Sequence, residues 1–70
     1  MTQIINKRGG YIERITVAKI TALPGHFYVK VETQYDDTRA PDAWRTVYQT
    51  TCEQWGLEAF GKEIYESQLP

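Results

Sequence analysis

Cys52 and His26 are the residue types that nucleophilic catalysis by a thiol would use. The thiolate is the attacking form, and it needs a base within hydrogen-bond reach. Cys52 falls in the first turn of a predicted helix, where the helix dipole lowers a thiol pKa. His26 begins a predicted strand, and nothing in the sequence places it near Cys52. A lone cysteine in a small domain is more often an apolar filler, so we predict no catalytic residue and no enzyme activity.

The acidic and soft side chains do not form a metal-binding motif. The loop acids Asp36, Asp37 and Asp42 lack the central glycine and terminal glutamate of a calcium loop, and aspartate is common in solvated turns. Cys52 and His26 are the only soft ligands, whereas a structural zinc site takes four. We therefore predict no bound metal and no cofactor.

Residues 26–35 show the clearest two-residue alternation in the chain, which is typical of a strand with one buried and one exposed face. The predicted buried side carries Phe27, Val29, Val31, Thr33 and Tyr35. The predicted exposed side carries His26, Tyr28, Lys30, Glu32 and Gln34.

We expect Arg14 and Arg45, on the two neighbouring strands, to flank Tyr28 and Lys30 on this exposed face. Basic residues interleaved with aromatics on an open sheet can stack bases and neutralise phosphates. Long amphipathic side chains also cover solvated sheet faces without binding anything, and the overall charge is well below the usual basic footprint. A nucleic-acid-binding module that uses these four residues is the alternative functional prediction.

Large aromatic side chains raise a second class of function. Tryptophan and tyrosine are the residues that protein interfaces use as anchors, and the chain carries Trp44, Tyr48, Trp55 and Tyr65. A 70-residue chain has little room to bury both tryptophans. They either fill the core and its rim or anchor a partner protein, because tryptophan is seldom wholly buried.

The positions of turn signals predict three to four strands followed by one helix. Gly9-Gly10 indicates a tight hairpin loop, and Pro24-Gly25 indicates a type II turn. The predicted strands cover residues 3–6, 11–20, 26–35 and 44–49, and the predicted helix covers 51–66. Strands followed by a helix indicate an α+β fold: an antiparallel meander with the helix packed on one face. In the second strand, either both faces are partly covered or a bulge shifts the register. In the fourth, Trp44, Thr46 and Tyr48 are expected on one face.

The predicted helix begins at a capping box, which is either Thr50 with Glu53 or Thr51 with Gln54. Apolar residues at helical spacing predict its buried face, which carries Leu57, Phe60, Gly61 and Ile64. Trp55 and Ala59 form an adjoining stripe. Glycine weakens a helix, so we expect Gly61 to allow close approach to the sheet. A helix broken near Gly56 is the alternative.

Composition predicts one small domain with its charge unevenly distributed. The net charge is −1, with a balance of +2 over residues 1–49 and −3 over residues 50–70. The lone cysteine favours a reducing compartment, and no apolar run resembles a signal peptide or a membrane span. We predict a cytoplasmic protein that does not enter membranes, and self-association is open because so small a core has little to spare.

The absence of a catalytic motif favours a non-enzymatic protein-interaction domain. The expected anchors are the aromatic residues, and either the acidic helix residues or the basic sheet residues would steer the encounter. If the target is a nucleic-acid machine, the acidic helix residues would mimic phosphate charge; they are Glu53, Glu58, Glu63 and Glu66. The short chain also suggests a phage or mobile-element accessory protein that inhibits or modulates a host protein machine.

Overall fold

The computed structural model describes residues 1–35 and 44–69. Four strands, β1 (Thr2–Arg8), β2 (Tyr11–Lys19), β3 (His26–Tyr35) and β4 (Arg45–Glu53), form one antiparallel sheet in the order β1-β2-β3-β4. A 3₁₀ helix, η1 (Gln54–Phe60), and a short helix, α1 (Lys62–Ser67), follow. The predicted α+β meander is confirmed, while the candidate cation loop with Asp36, Asp37 and Asp42 lies outside the described residues.

Both predicted turns are present. Gly9-Gly10 is the loop between Arg8 and Tyr11, which pair with each other across the hairpin, and Gly10 has a φ of 92°. Before β3, the backbone amide of His26 donates to the carbonyl of Leu23 at 3.0 Å, and Gly25 has a φ of 81°. A positive φ at the third residue of such a turn defines type II.

The register of the sheet resolves the open question about the second strand. β2 pairs without a shift to both β1 and β3, so the predicted bulge there is wrong, and both of its faces are partly covered. The bulge lies in β4 instead. Val31 pairs with Tyr48, but Glu32 pairs with Thr46, which leaves Val47 as the extra residue.

This bulge changes which way the side chains of β4 point. Alternation along the strand places Tyr48 on the face with Val31, and Thr46 on the opposite face with Glu32. Trp44 lies on the Thr46 side, where its ring contacts Arg14. The prediction that Trp44, Thr46 and Tyr48 share one face is therefore wrong, because a two-residue period does not continue through a bulge.

The predicted helix over 51–66 begins too early. β4 continues to Glu53, which pairs with His26, and neither predicted capping box forms because Thr50 and Thr51 are strand residues. Pairing with β3 takes precedence over a local capping signal, since Thr50 and Cys52 extend the ladder opposite Val29 and Phe27.

The two glycines of the helical segment have roles opposite to those expected. Gly61 separates η1 from α1 with a φ of 130°, and no atom lies within 4 Å of where its Cβ would be. Gly56 is the position of close approach, because a Cβ there would lie 3.0 Å from Cys52 Cβ. The helical segment therefore breaks at Gly61 and packs tightly at Gly56.

The core lies between the sheet and the helices, as predicted. Its buried residues are Ile15, Val17, Phe27, Val29, Leu57 and Ile64, and half-buried side chains around them are Ile4, Val31, Cys52, Phe60 and Tyr65. Trp55, which was expected beside the apolar helix face, is exposed. We call the sheet face that carries this core the core face, and the opposite one the polar face.

The helices cover only part of the core face. On the core face, paired residues of neighbouring strands form rows that run across the sheet. From the start of β3 to its end, these rows are Lys19–Phe27–Cys52, Thr2–Val17–Val29–Thr50, Ile4–Ile15–Val31–Tyr48, Asn6–Glu13–Thr33–Arg45 and Arg8–Tyr11–Tyr35. Phe27 and Val29 are buried, Val31 and Thr33 are half-buried, and Tyr35 is exposed. The helical segment leaves β4 at the Phe27 row and reaches β1, where Gln68 Nε2 donates to Thr2 Oγ1 at 2.7 Å. The Thr33 and Tyr35 rows form what we call the uncovered end.

Candidate protein-interaction surfaces

Glu32 is the centre of a charged network on the polar face. Its side chain is only 8% exposed, and its Oε1 accepts a hydrogen bond from Arg14 Nε at 3.0 Å and lies 2.9 Å from Arg14 Nη2. Lys30 Nζ lies 3.6 Å from Glu32 Oε2. The guanidinium of Arg14 also stacks over Trp44, 4.1 Å from the ring centroid. This network buries a carboxylate that the alternation placed on an exposed face.

The structure brings three of the four predicted nucleic-acid-binding residues together and separates the fourth. Arg14 and Lys30 share the Glu32 carboxylate, and the hydroxyl of Tyr28 donates to Gln49 Oε1. Arg45 pairs with Thr33 and therefore points to the core face, so its expected place beside the other three is wrong. The bulge at Val47 causes this reversal, because it changes the side on which every earlier residue of β4 lies.

The uncovered end contains an open groove of about 460 Å³. Its walls come from the starts or ends of three adjacent strands, and its lining residues are Tyr11, Glu13, Thr33, Gln34, Tyr35, Arg45 and Val47. Tyr35 is 74% exposed and Val47 is 51% exposed. Two predicted aromatic candidates are not among the residues that line this groove. Tyr48 is exposed and stacks at a tilt on Phe60, with ring centroids 6.1 Å apart, whereas Tyr65 packs against the core.

The two charged side chains that line the groove, Glu13 and Arg45, differ in whether they have a partner within the protein. Glu13 accepts hydrogen bonds from Arg8 Nη2 at 3.4 Å and Asn6 Nδ2 at 3.3 Å. Arg45 is exposed and forms no ion pair with any residue in 1–35 or 44–69. The groove therefore offers one cation without a protein partner in the described part of the chain.

Trp55 dominates the surface at the other end of the sheet. Its side chain is 74% exposed, yet its indole N–H donates to Glu53 Oε2 at 2.9 Å. The other oxygen of that carboxylate lies 3.6 Å from His26 Nε2. Glu58 on η1 and Glu63 on α1 are exposed. This end of the sheet therefore carries an exposed aromatic ring that forms one hydrogen bond, and exposed acidic residues follow it in the chain.

The candidate nucleophile and base are not brought together. Cys52 pairs with Phe27 and points to the core face, whereas His26 pairs with Glu53 on the polar face. Burial raises the pKa of the Cys52 thiol, which is the wrong direction for a thiolate nucleophile. Among residues 1–35 and 44–69, no three His, Cys, Asp or Glu side chains are grouped in a way that could hold a metal ion.

Sequence reasoning missed Tyr11, Tyr35 and Val47 as surface residues of a groove. Tyr35 alternates with Val29 and Val31 and was therefore expected on the buried side. The length of β3 was the missed signal. Ten residues in a strand span roughly 33 Å, whereas a helix lying across the sheet is about 10 Å wide. One short helical segment cannot cover such a strand from end to end.

Comparison of the chain with protein-family models, curated proteins and solved structures finds no match. The described residues include no helix with the length and apolar character that a membrane crossing requires.

Proposed function

We propose that the chain is a non-enzymatic protein-interaction domain that binds a partner protein by surface complementarity. The observation that carries this proposal is Trp55, which is 74% exposed although it is one of the largest apolar side chains of the molecule. Leaving so much aromatic surface in water forgoes the free energy that burial would provide. Such a residue is typical of an interface anchor.

The hydrogen bond from the Trp55 indole N–H to Glu53 supports this role. A side chain that is already held in one orientation loses less conformational freedom on binding, so more of the contact energy appears as affinity. Glu53 is positioned in turn by its pairing with His26 at the end of β4. The indole ring is therefore hydrogen-bonded to the last residue of β4, which is itself paired with β3.

The acidic residues of the C-terminal segment support a partner of opposite charge. Glu53, Glu58 and Glu63 are exposed, and in the described part of the chain neither Glu58 nor Glu63 forms an ion pair. Exposed charges of one sign accelerate encounter with a surface of the opposite sign. We therefore propose a partner with a basic surface, which includes proteins that bind nucleic acid.

The polar face gives less support to the nucleic-acid alternative. Arg14 and Lys30 both lie against Glu32, and Tyr28 is hydrogen-bonded to Gln49. A phosphate would have to compete with a carboxylate that is already in place. The finer prediction of a phage or mobile-element inhibitor rests on chain size and is not part of this proposal.

The experiment uses the immobilised chain to capture a partner from source lysate, with and without nuclease, followed by titration of the purified partner. We expect capture to survive nuclease treatment and Trp55→Ala to weaken binding at least about thirtyfold, the loss typical of an interface anchor. Leu23→Ala is the matched control, because Leu23 is also an exposed large apolar residue but lies in the turn before β3. It should change affinity less than about threefold.

Charge is tested by replacing Glu53, Glu58, Glu63 and Glu66 together with glutamine. This change preserves an oxygen at position 53 that can accept the Trp55 hydrogen bond, so it isolates the charge. Affinity should fall, and the salt dependence of the association rate should weaken. Loss of capture on nuclease treatment, or equal affinity for Trp55→Ala and the unchanged chain, would overturn the proposal.

A further inference from the structure

The groove at the uncovered end is separate from the Trp55 surface. Trp55 lies beside the His26 end of β3, and the groove lies at the Tyr35 end. A ten-residue strand places these ends roughly 33 Å apart. A ligand in the groove therefore makes its own contacts, and the groove can be tested independently.

The groove combines an apolar floor with one available cation. Tyr11, Tyr35 and Val47 are each at least 40% exposed and lie around the same volume of about 460 Å³. Arg45 borders that volume without an ion pair to any described residue, and Glu13 is already hydrogen-bonded by Arg8 and Asn6. The chemistry that fits is a large apolar side chain next to a carboxylate.

We propose that this groove is a second binding site, which takes a peptide segment of a partner protein with an aromatic residue directly next to an acidic one. The aromatic ring packs between Tyr11, Tyr35 and Val47. The carboxylate accepts hydrogen bonds from the guanidinium of Arg45, which can bind it with two parallel N–H groups. The chain would then have two binding sites, one at Trp55 and one at the groove.

Two other occupants fit the groove less well. A nucleic acid strand brings a phosphate at every nucleotide, but the groove supplies a single available cation. A second copy of the chain would present Trp55 with Glu53, but that carboxylate already accepts the hydrogen bond of the Trp55 indole and lies beside His26. Both occupants are separate outcomes of the test.

The probe is the capped dipeptide acetyl-Asp-Phe-amide, titrated into the uniformly ¹⁵N-labelled full chain and followed by amide chemical shifts. Shifts should concentrate at Tyr11, Thr33, Arg45 and Val47 and leave the Trp55 indole resonance in place. Acetyl-Lys-Phe-amide tests the charge and acetyl-Asp-Ala-amide tests the ring. Each should bind about two- to fivefold more weakly than the probe, in line with the loss of one exposed ion pair or of one aromatic contact.

The variant Arg45→Glu should weaken binding of acetyl-Asp-Phe-amide by about fivefold or more and make acetyl-Lys-Phe-amide the better ligand. The matched control is Lys7→Glu, which makes the same change of charge on an exposed residue at the same end of the sheet, but on the polar face. It should leave both affinities within about twofold. Retained dispersion in the amide spectra shows that each variant is folded.

Each contrary result identifies what is wrong. Shifts that map elsewhere, or equal binding of the Asp and Lys peptides, would overturn the proposed site. Concentration-dependent shifts at the groove without peptide, abolished by Trp55→Ala, would assign it to a second copy, and tighter binding of a single-stranded oligonucleotide would assign it to nucleic acid. The peptide titrations use the chain alone and therefore do not require the partner protein that Trp55 binds.

Discussion

Arg14 and Glu32 face each other across β2 and β3, and the guanidinium of Arg14 contacts one carboxylate oxygen of Glu32 through both Nη2 and Nε, at 2.9 Å and 3.0 Å. Glu32 is buried although Arg14 is partly exposed, Trp44 lies over Arg14, and Lys30 reaches the second oxygen of Glu32. A buried carboxylate stabilises the sheet only while its cationic partners are present.

Removing one partner of this pair should therefore destabilise the fold. Arg14→Met leaves the Glu32 carboxylate buried with only Lys30 beside it, and we expect a loss of about 1–3 kcal/mol in the free energy of unfolding. Urea denaturation followed by tryptophan fluorescence measures it. The double variant Arg14→Met, Glu32→Leu should lose less than the sum of the two single variants, because it leaves no unpaired buried charge.

The Arg8–Glu13 pair is the natural comparison for that experiment. It joins two hairpin residues at 3.4 Å, and the Arg8 side chain is 55% exposed. Exposed pairs contribute about 0.2–1 kcal/mol, so Arg8→Met should cost less than Arg14→Met. Equal losses for the two variants would show that burial of Glu32 is not what makes its pairing important.

Substitution of Gly61 should lower the stability of the fold because of its backbone φ angle and not because of a steric clash. Its φ of 130° disfavours any L side chain, although the space around it is open. Gly61→Ala should therefore cost about 1–3 kcal/mol in unfolding free energy. Gly9→Ala is the control, because Gly9 also has open space and no strained φ, and it should change stability by less than about 0.5 kcal/mol.

Gly56 should resist substitution for the opposite reason. A methyl group there would meet Cys52 Cβ at 3.0 Å, which is inside normal contact distance, and the strand carrying Cys52 has little freedom to move because it pairs with β3. We expect Gly56→Ala to cost about 1–3 kcal/mol. Combining it with Cys52→Gly should recover part of that loss in a double-mutant cycle, and strictly additive effects would contradict the contact.

The Cys52 thiol should be a poor nucleophile and a source of alkaline sensitivity. Burial raises its pKa in the folded protein, so the folded state keeps the thiol proton to higher pH than the unfolded state does. Its contribution to stability is complete below the pKa of an exposed thiol and is lost as the pH rises through the raised folded value. Cys52→Ala should remove that part of the alkaline destabilisation.

The check compares urea denaturation of both proteins between pH 7 and about pH 10, a window that spans the ordinary thiol pKa. Alkylation with iodoacetamide provides a second readout, and the native thiol should react more slowly than the unfolded one at the same pH. Fast labelling of the native protein, or identical alkaline profiles for the two chains, would show that the thiol is not protected.

Local patterns predicted the elements whose causes are local. The alternation over 26–35 matches β3 at both ends, the Gly9-Gly10 and Pro24-Gly25 turns form as expected, and Leu57 and Ile64 pack on Phe27 and Val29. A turn type depends on the φ of one or two residues, and the side a strand residue faces depends on its immediate neighbours. Information of this kind lies within a few residues of sequence.

The same patterns misjudged features that depend on contacts across the sheet. β4 extends through Thr50 and Thr51 because β3 offers backbone partners there, and the bulge at Val47 places Arg45 on the same face as Tyr48, whereas simple alternation would separate them. Burial of Glu32 and exposure of Trp55 depend on which side chains the fold brings beside them. Each of these outcomes is decided by residues distant in sequence.

The amino-acid sequence by itself therefore determined a four-stranded antiparallel sheet, its turns and most of its apolar core. Only the tertiary structure decided which surfaces remain available for binding. The reason is geometric: the helical segment is too narrow to cover the whole length of β3, so the uncovered end with Tyr35 and Arg45 appears only when the elements are packed together.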